Sequence, residues 1–181
     1  MPTSPPHKVW PILSIFRKLP IPSSVLDCGV GFGKYGVLLR EYLDIRLQRY
    51  DKKDWKTTID AIEIWPDYIT PIHKYIYDVI YIGDILTISE RLPNYDVIIL
   101  PEIIEHLSKE LGKKLLLTLY NKCNLGLSMS FPLSLSDHNR NDWPNPSEEH
   151  ISLWSIEDLT KLFKDEVKPI GKLAYHIIKD S

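Results

Sequence analysis

The chain has 181 residues, 44% hydrophobic and 25% charged, which suits one globular domain with a sizeable core. Its formal net charge of -2 excludes a strongly basic, phosphate-coating surface as the main feature. Two cysteines, Cys28 and Cys123, are too few for a disulfide framework, no apolar run is long enough to span a bilayer, and the first residues lack a signal-peptide plan, so a cytoplasmic location is expected.

Residues 1–7 are proline-rich and read as an extended arm. From Lys8 to Leu19, Val9, Ile12, Ile15, Phe16 and Leu19 recur at helical spacing, with Pro11 tolerable in a first turn and Pro20 and Pro22 as a stop. Residues 1–23 are therefore expected to form an arm and a helix, able to cover a substrate entrance, packed on a main domain of residues 24–181. A short buried strand follows at 24–28, then a helix at 34–47 with Val37, Leu38 and Tyr42 on one side. Residues 44–56 carry mixed charge and read as a solvated loop. Strands are expected at 59–64, 79–82, 96–100 and 126–131, with helices at 66–75 and 109–123. Residues 134–150 form a long polar loop holding Asp137, His138, Arg140, Trp143, Glu148 and Glu149; a loop of that length is unusual unless it serves function. Ser155, with Glu157 and Asp158 behind it, caps a final helix. Two strands, 167–170 and 174–178, finish the chain. Alternating strands and helices give an α/β fold, a mostly parallel sheet with helices on both faces, and such sheets bind ligands at the carboxyl ends of their strands.

Asp27-Cys28-Gly29-Val30-Gly31-Phe32-Gly33 ends the first strand and opens a helix. Glycines there let a ligand approach the backbone, and the helix start turns amide hydrogens toward it. The dinucleotide fingerprint requires glycine at position 34, where this chain has Lys34, and an acid sooner than Glu63 arrives. The segment does resemble motif I of class I S-adenosylmethionine (SAM) dependent methyltransferases, Asp-x-Gly-x-Gly-x-Gly, and the resemblance extends over residues 24 to about 178. Ile62-Glu63-Ile64-Trp65-Pro66 is similar to that family's second-strand end, whose acid holds the ribose hydroxyls. Gly83-Asp84-Ile85 resembles its third-strand motif, whose Asp takes the adenine amino group. Tyr95 to Leu100 resembles the fourth strand, which leads into the substrate side. The resemblance implies a Rossmann-like methyltransferase fold and SAM as cofactor, bound by Asp27, Gly29, Gly31, Gly33, Glu63 and Asp84. The Tyr35 ring would either lie over the methionine end of SAM or simply pack.

Glu102-Ile103-Ile104-Glu105-His106-Leu107 follows the fourth strand, and its acids and imidazole can converge on a cation if the backbone turns there. With His150-Ile151-Ser152-Leu153-Trp154 it resembles the Glu-x-x-Glu-His … His-x-x-x-Trp arrangement of small-RNA 3′-end 2′-O-methyltransferases. That resemblance implies Glu102, Glu105, His106 and His150 as ligands of Mg²⁺ or Mn²⁺, with His106 and His150 as catalytic side chains. A similar acid-acid-His cluster occurs in some ubiquinone-pathway O-methyltransferases. Class I members that use no metal carry Glu-His-Leu at the same place, where Glu105 and His106 would cap a helix or line the pocket. The chain lacks the basic, aromatic-rich appendages of RNA-end enzymes and the Asn-Pro-Pro-Tyr or Asp-Pro-Pro-Tyr tetrapeptide of adenine methyltransferases acting on DNA. The expected acceptor is an oxygen or nitrogen of a small molecule or glycan-like metabolite. An RNA end, or service as a non-catalytic SAM-binding partner subunit, is the alternative. No membrane partner is expected.

Overall fold

A computed structural model of the chain describes residues 4–133 and 145–179. Within them, seven strands form one sheet: β1 (Ser24–Cys28), β2 (Thr58–Glu63), β3 (Ile80–Ile82), β4 (Tyr95–Pro101), β5 (Cys123–Ser130), β6 (Val167–Ile170) and β7 (Ala174–Ile178). Their order is β3-β2-β1-β4-β5-β7-β6. The first five are parallel, and β7 runs antiparallel to both β5 and β6. The expected α/β architecture is therefore present, closed at one edge by a terminal antiparallel pair.

Among the described residues, six α-helices cover the sheet: α1 (Pro6–Leu13), α2 (Lys34–Leu43), α3 (Pro71–Ile76), α4 (Ile85–Ile88), α5 (Lys109–Lys122) and α6 (Ile156–Phe163). The run Val97-Ile98-Ile99-Leu100 shows why both faces are covered, because alternate residues of a strand point to opposite sides and here every one is apolar. Val97 and Ile99, with Val25, Ile59 and Ala61, meet Ile12, Ile15, Leu39, Leu43 and Ile76 from α1 to α3 and the turn after α1. Ile98 and Leu100, with Leu26 and Cys28, meet Leu115, Leu116 and Leu119 of α5 and Leu159 and Phe163 of α6. Among the described residues, no helix is long and apolar enough to cross a membrane.

Several local expectations are corrected. The N-terminal helix starts at Pro6, inside the expected arm, and gives way to a 3-10 turn at Ser14–Arg17. Helix α2 stops at Leu43, short of 47. Its buried positions are Tyr35, Gly36, Leu39, Arg40 and Leu43; Val37 faces outward, while Tyr42 packs its ring against Phe16. Asp44, assigned to a solvated loop, is wholly buried. It accepts hydrogen bonds from Arg40 at 3.1 Å, Arg49 at 3.2 Å and the Lys56 amide at 2.8 Å, so it ends the helix and ties down the connection to β2. The single helix expected at 66–75 divides into a 3-10 turn at Pro66–Tyr68 and α3. Helix α4 has one turn, too short to leave a periodic signal. Ser155 caps α6 as expected, accepting from the Asp158 amide. Asp137, His138, Arg140 and Trp143 lie outside the described residues.

Candidate active site

The carboxyl ends of β1 to β4 open into one cavity of about 360 Å³. It lies at the seam between β1 and β4, where the chain order reverses, the place such sheets offer to ligands. Gly29, Gly31 and Gly33 all have positive φ (73°, 48° and 84°), so the loop after β1 curls back toward the sheet. At Gly29 a Cβ would also lie 2.1 Å from Ile103 Cδ1, so the tip of that side chain would have to shift. Gly29 and Gly31 line the cavity, while Gly33 stands at the start of α2. His73 braces this loop from α3. Its Nδ1 accepts from the Thr70 amide at 3.1 Å, so Nε2 carries the proton and donates to the Gly31 carbonyl at 3.0 Å.

Glu63, at the tip of β2, lines the cavity and is nearly buried. The Gly31 amide donates to its Oε2 at 3.0 Å and the Trp65 amide to Oε1 at 2.9 Å, which fixes its orientation and leaves further lone pairs for a ligand. Asp84 also lines the cavity and caps α4, accepting from the Leu86 amide at 2.8 Å through Oδ1. Asp27 sits behind the loop, off the cavity wall and without exposed surface, and takes the Tyr77 hydroxyl at 2.6 Å. Burial pushes its carboxyl up to about 7; the Tyr77 bond opposes that and the Glu63 charge adds to it. The Tyr35 side chain is buried and lines the same cavity.

Beyond β4 the backbone does turn. Glu102 has φ 57°, a left-handed conformation rare for a side-chain-bearing residue, and its amide donates to the Ser130 carbonyl at 3.0 Å. The following 3-10 turn, Ile104–His106, is clamped from the other end of the chain. Gly112 of α5 makes room for Trp154, where a Cβ would lie 2.4 Å from the indole. The indole N–H donates to the Ile104 carbonyl at 3.0 Å, and the Ile151 and Ser152 amides donate to the Glu105 carbonyl at 2.9 and 3.1 Å. His150 is thereby brought beside His106, with ring centres 4.8 Å apart.

Of the four residues that the sequence groups as ligands, three converge. One ligand atom each from Glu105, His106 and His150 lies within 4.8 Å of the others. Glu105 has no exposed surface, and neither of its carboxylate oxygens meets a hydrogen-bond donor among the described residues. Burial holds its carboxyl well above the usual range, and the Glu102 charge adds to this. Glu102 stands apart from the three: Lys8 Nζ approaches its Oε1 at 2.8 Å and the Ser130 hydroxyl donates to the same atom at 2.7 Å. Lys8 also donates to the Phe131 carbonyl at 3.2 Å. The arm expected over the entrance is represented by Ser4 and Pro5, which line the cavity, and Lys34 Nζ donates to the Ser4 carbonyl.

Sequence reasoning missed four contributors. His73, Tyr68 and Lys8 carry no local signature of a site, and Glu148, one acid among several in the long polar loop, carries no sign that it reaches the cavity. Burial first, then the Glu63 charge, raise the Glu148 carboxyl to about 7.

No family profile matches the chain, and no curated protein sequence matches it. Solved structures are similar to it in shape. Magnesium protoporphyrin IX methyltransferase (ChlM) from Synechocystis PCC 6803, with bound SAH, has a TM-score of 0.64 at 13% identity, over 96% of this chain and 81% of that one. The N-terminal domain of EvdMO1, in the presence of SAH and D-fucose, has a TM-score of 0.59 at 14% identity, over 97% and 82%. TehB from Haemophilus influenzae has a TM-score of 0.60 at 16% identity, over 87% and 50%. At such identities the likeness concerns the fold, and that fold is the Rossmann-like one of class I methyltransferases.

Proposed function

We propose that the chain is a SAM-dependent methyltransferase acting on an oxygen or nitrogen of a small molecule or glycan-like metabolite. The observation that carries this reading is that one cavity is lined at once by the glycine loop, Glu63, Asp84 and the His106–His150 pair. The nucleoside end of SAM would lie against Ile64 and Ile85, with its ribose on Glu63 and its amino group on Asp84. The SAH bound to ChlM, a protein of the same fold, supports the cofactor. Glu63 and Asp84 line the cavity with no ion pair among the described residues, Glu102 is paired with Lys8, and the one lining lysine, Lys34, is committed to Ser4. Such a wall repels an anionic acceptor and favours a neutral or cationic one.

When bound, SAM would supply an activated methyl group for direct transfer to the acceptor, with Glu63 and Asp84 holding its nucleoside end. The protein aligns the acceptor and removes its proton. His106 and His150 line the cavity, and His106 Nδ1 donates to the Glu149 carbonyl at 3.1 Å, which orients the imidazole for a part in that proton's removal.

Isothermal titration of the full chain tests the cofactor. SAM and SAH should bind at micromolar levels and NAD far more weakly. Glu63→Ala should weaken SAH by about tenfold or more, the loss of charge-assisted hydrogen bonds. NAD binding without SAM binding overturns the reading. Tight SAM binding with no transfer from labelled SAM to pooled metabolites or short RNAs favours a non-catalytic partner subunit.

The buried, donor-less carboxylate of Glu105 favours a second reading in which the site is metal-assisted, as in RNA-end enzymes. Glu105 with His106 and His150 forms an oxygen and nitrogen set that fits Mn²⁺ and tolerates Mg²⁺. A cation there would neutralise Glu105 and acidify a bound hydroxyl. Mn²⁺ should then raise the melting temperature of the protein, and Glu105→Gln should abolish that rise. No rise, with turnover unchanged by chelator, reduces the cluster to pocket lining.

A further inference from the structure

We propose that Glu148 is a second carboxylate for the cofactor's ribose, facing Glu63 and reaching it from the far side of the molecule; this rests on reading the cavity as a SAM pocket. The two acids come from distant parts of the chain. Glu63 ends β2, whereas Glu148 ends a single 3-10 turn, Pro146–Glu148, on the segment that returns from β5 toward α6. Both line the same cavity, together with Ser147 and Tyr68.

Glu148 is held in place. Asn145, almost fully buried, accepts from the Ser147 amide at 2.9 Å through Oδ1 and donates from Nδ2 to Glu148 Oε1 at 3.1 Å. The Tyr68 hydroxyl approaches the same oxygen at 3.5 Å. Both protein donors thus use Oε1, and Oε2 keeps its lone pairs for a ligand. A side chain serving only the surface does not require a buried asparagine to orient it.

Neither carboxylate forms an ion pair among the described residues, and Glu148 lies close enough to Glu63 to feel its charge. Two carboxyls that line one cavity favour a ligand that brings hydrogen-bond donors to both. The ribose of SAM brings two adjacent hydroxyls. Glu63 gives one lone pair of each oxygen to a backbone amide and keeps one on each for the ribose, and Glu148 adds an acceptor from the opposite wall. Glu148 supplies the second acceptor at the nucleoside end, while His150, two residues on, stands at the reactive end. One short segment therefore touches both ends of the cofactor.

The test is calorimetric titration of the full chain and its Glu148→Ala and Glu148→Gln variants with SAH and with its 2′-deoxy and 3′-deoxy ribose analogues. Glu148→Ala should bind SAH about tenfold more weakly, and Glu148→Gln, which keeps the shape and a neutral acceptor, should lose less. The loss should shrink to about twofold against the one analogue that lacks the hydroxyl facing Glu148, because the cycle then removes both partners. An unchanged dissociation constant overturns the proposal, as does a loss of equal size against SAH and both analogues. Failure of the unmodified chain to bind SAH is a different result and removes the SAM reading itself.

Discussion

Asp27 lies under the glycine loop with one hydrogen-bond donor, the Tyr77 hydroxyl, and with Oδ1 lacking a partner among the described residues. Its carboxyl is raised from 3.8 to about 7, above the value of the unfolded chain. A raised folded pKa means that the protonated group contributes stability at acid pH, and that this contribution is lost as pH rises through about 7. The difference of about three units corresponds to roughly 4 kcal/mol at most. An asparagine at this position would keep the shape of the neutral acid without the charge, so Asp27→Asn should melt several degrees higher than the parent protein at pH 8. The gap should narrow toward pH 5. A gap that stays constant between pH 5 and pH 8 would show that Asp27 is not the group titrating. At this scale Gly29, Gly31, Glu63 and Asp84 are legible as neighbours in one region, because each follows a strand end and strand ends are visible in apolar runs. Tyr68, His73 and Glu148 are illegible as site residues for the converse reason. Their positions depend on where turns carry the chain after it leaves the sheet, and turn paths are fixed by partners far away in sequence.

Helix α1 shows the same dependence for a whole element. Its apolar spacing announces a helix, but three polar contacts fix it to the sheet. Ser128 Oγ donates to the Ile12 carbonyl at 2.9 Å, His176 Nε2 to the Pro11 carbonyl at 2.9 Å, and Lys8 reaches Glu102 beyond β4. Burial is the first cause that lowers His176 from 6.5 to about 4; the Pro11 carbonyl opposes it and Lys18 assists. A lowered folded pKa gives stability that is present above about 6.5 and lost as pH falls toward 4. That window is worth roughly 3 kcal/mol. The urea midpoint of the parent protein should therefore fall more steeply between pH 7 and pH 4.5 than that of His176→Gln, which keeps a donor but cannot take up a proton. Parallel curves would place the acid sensitivity elsewhere. The strands β1 to β5 and the helices α5 and α6 can be read from periodicity alone, since each is long enough to repeat its pattern or carries its own cap. Helix α4 cannot, because four residues make one turn. The sequence overextends α2 because nothing local reveals that Asp44 is drawn inward by Arg40 and Arg49.

For the whole molecule, alternation of strand and helix is enough to indicate a parallel α/β sheet, but not the strand order. Order is decided by which apolar faces meet. Two other strands separate β1 from β4 along the chain, yet in space the pair shares a ladder from Val25–Val97 to Asp27–Ile99. That ladder is also a boundary. The cavity walls on one side of it hang from β1, β2 and β3, and those on the other from β4 and from the segment that returns after β5. The seam in the sheet thus divides the cavity's lining by position along the chain. The chain before β4 supplies the glycine loop, Glu63 and Asp84 to the cavity, and the chain after it supplies His106 and His150. Glu148 is the exception: it lies in the later half of the chain, yet it lines the cavity with Glu63 and Tyr68 of the earlier half.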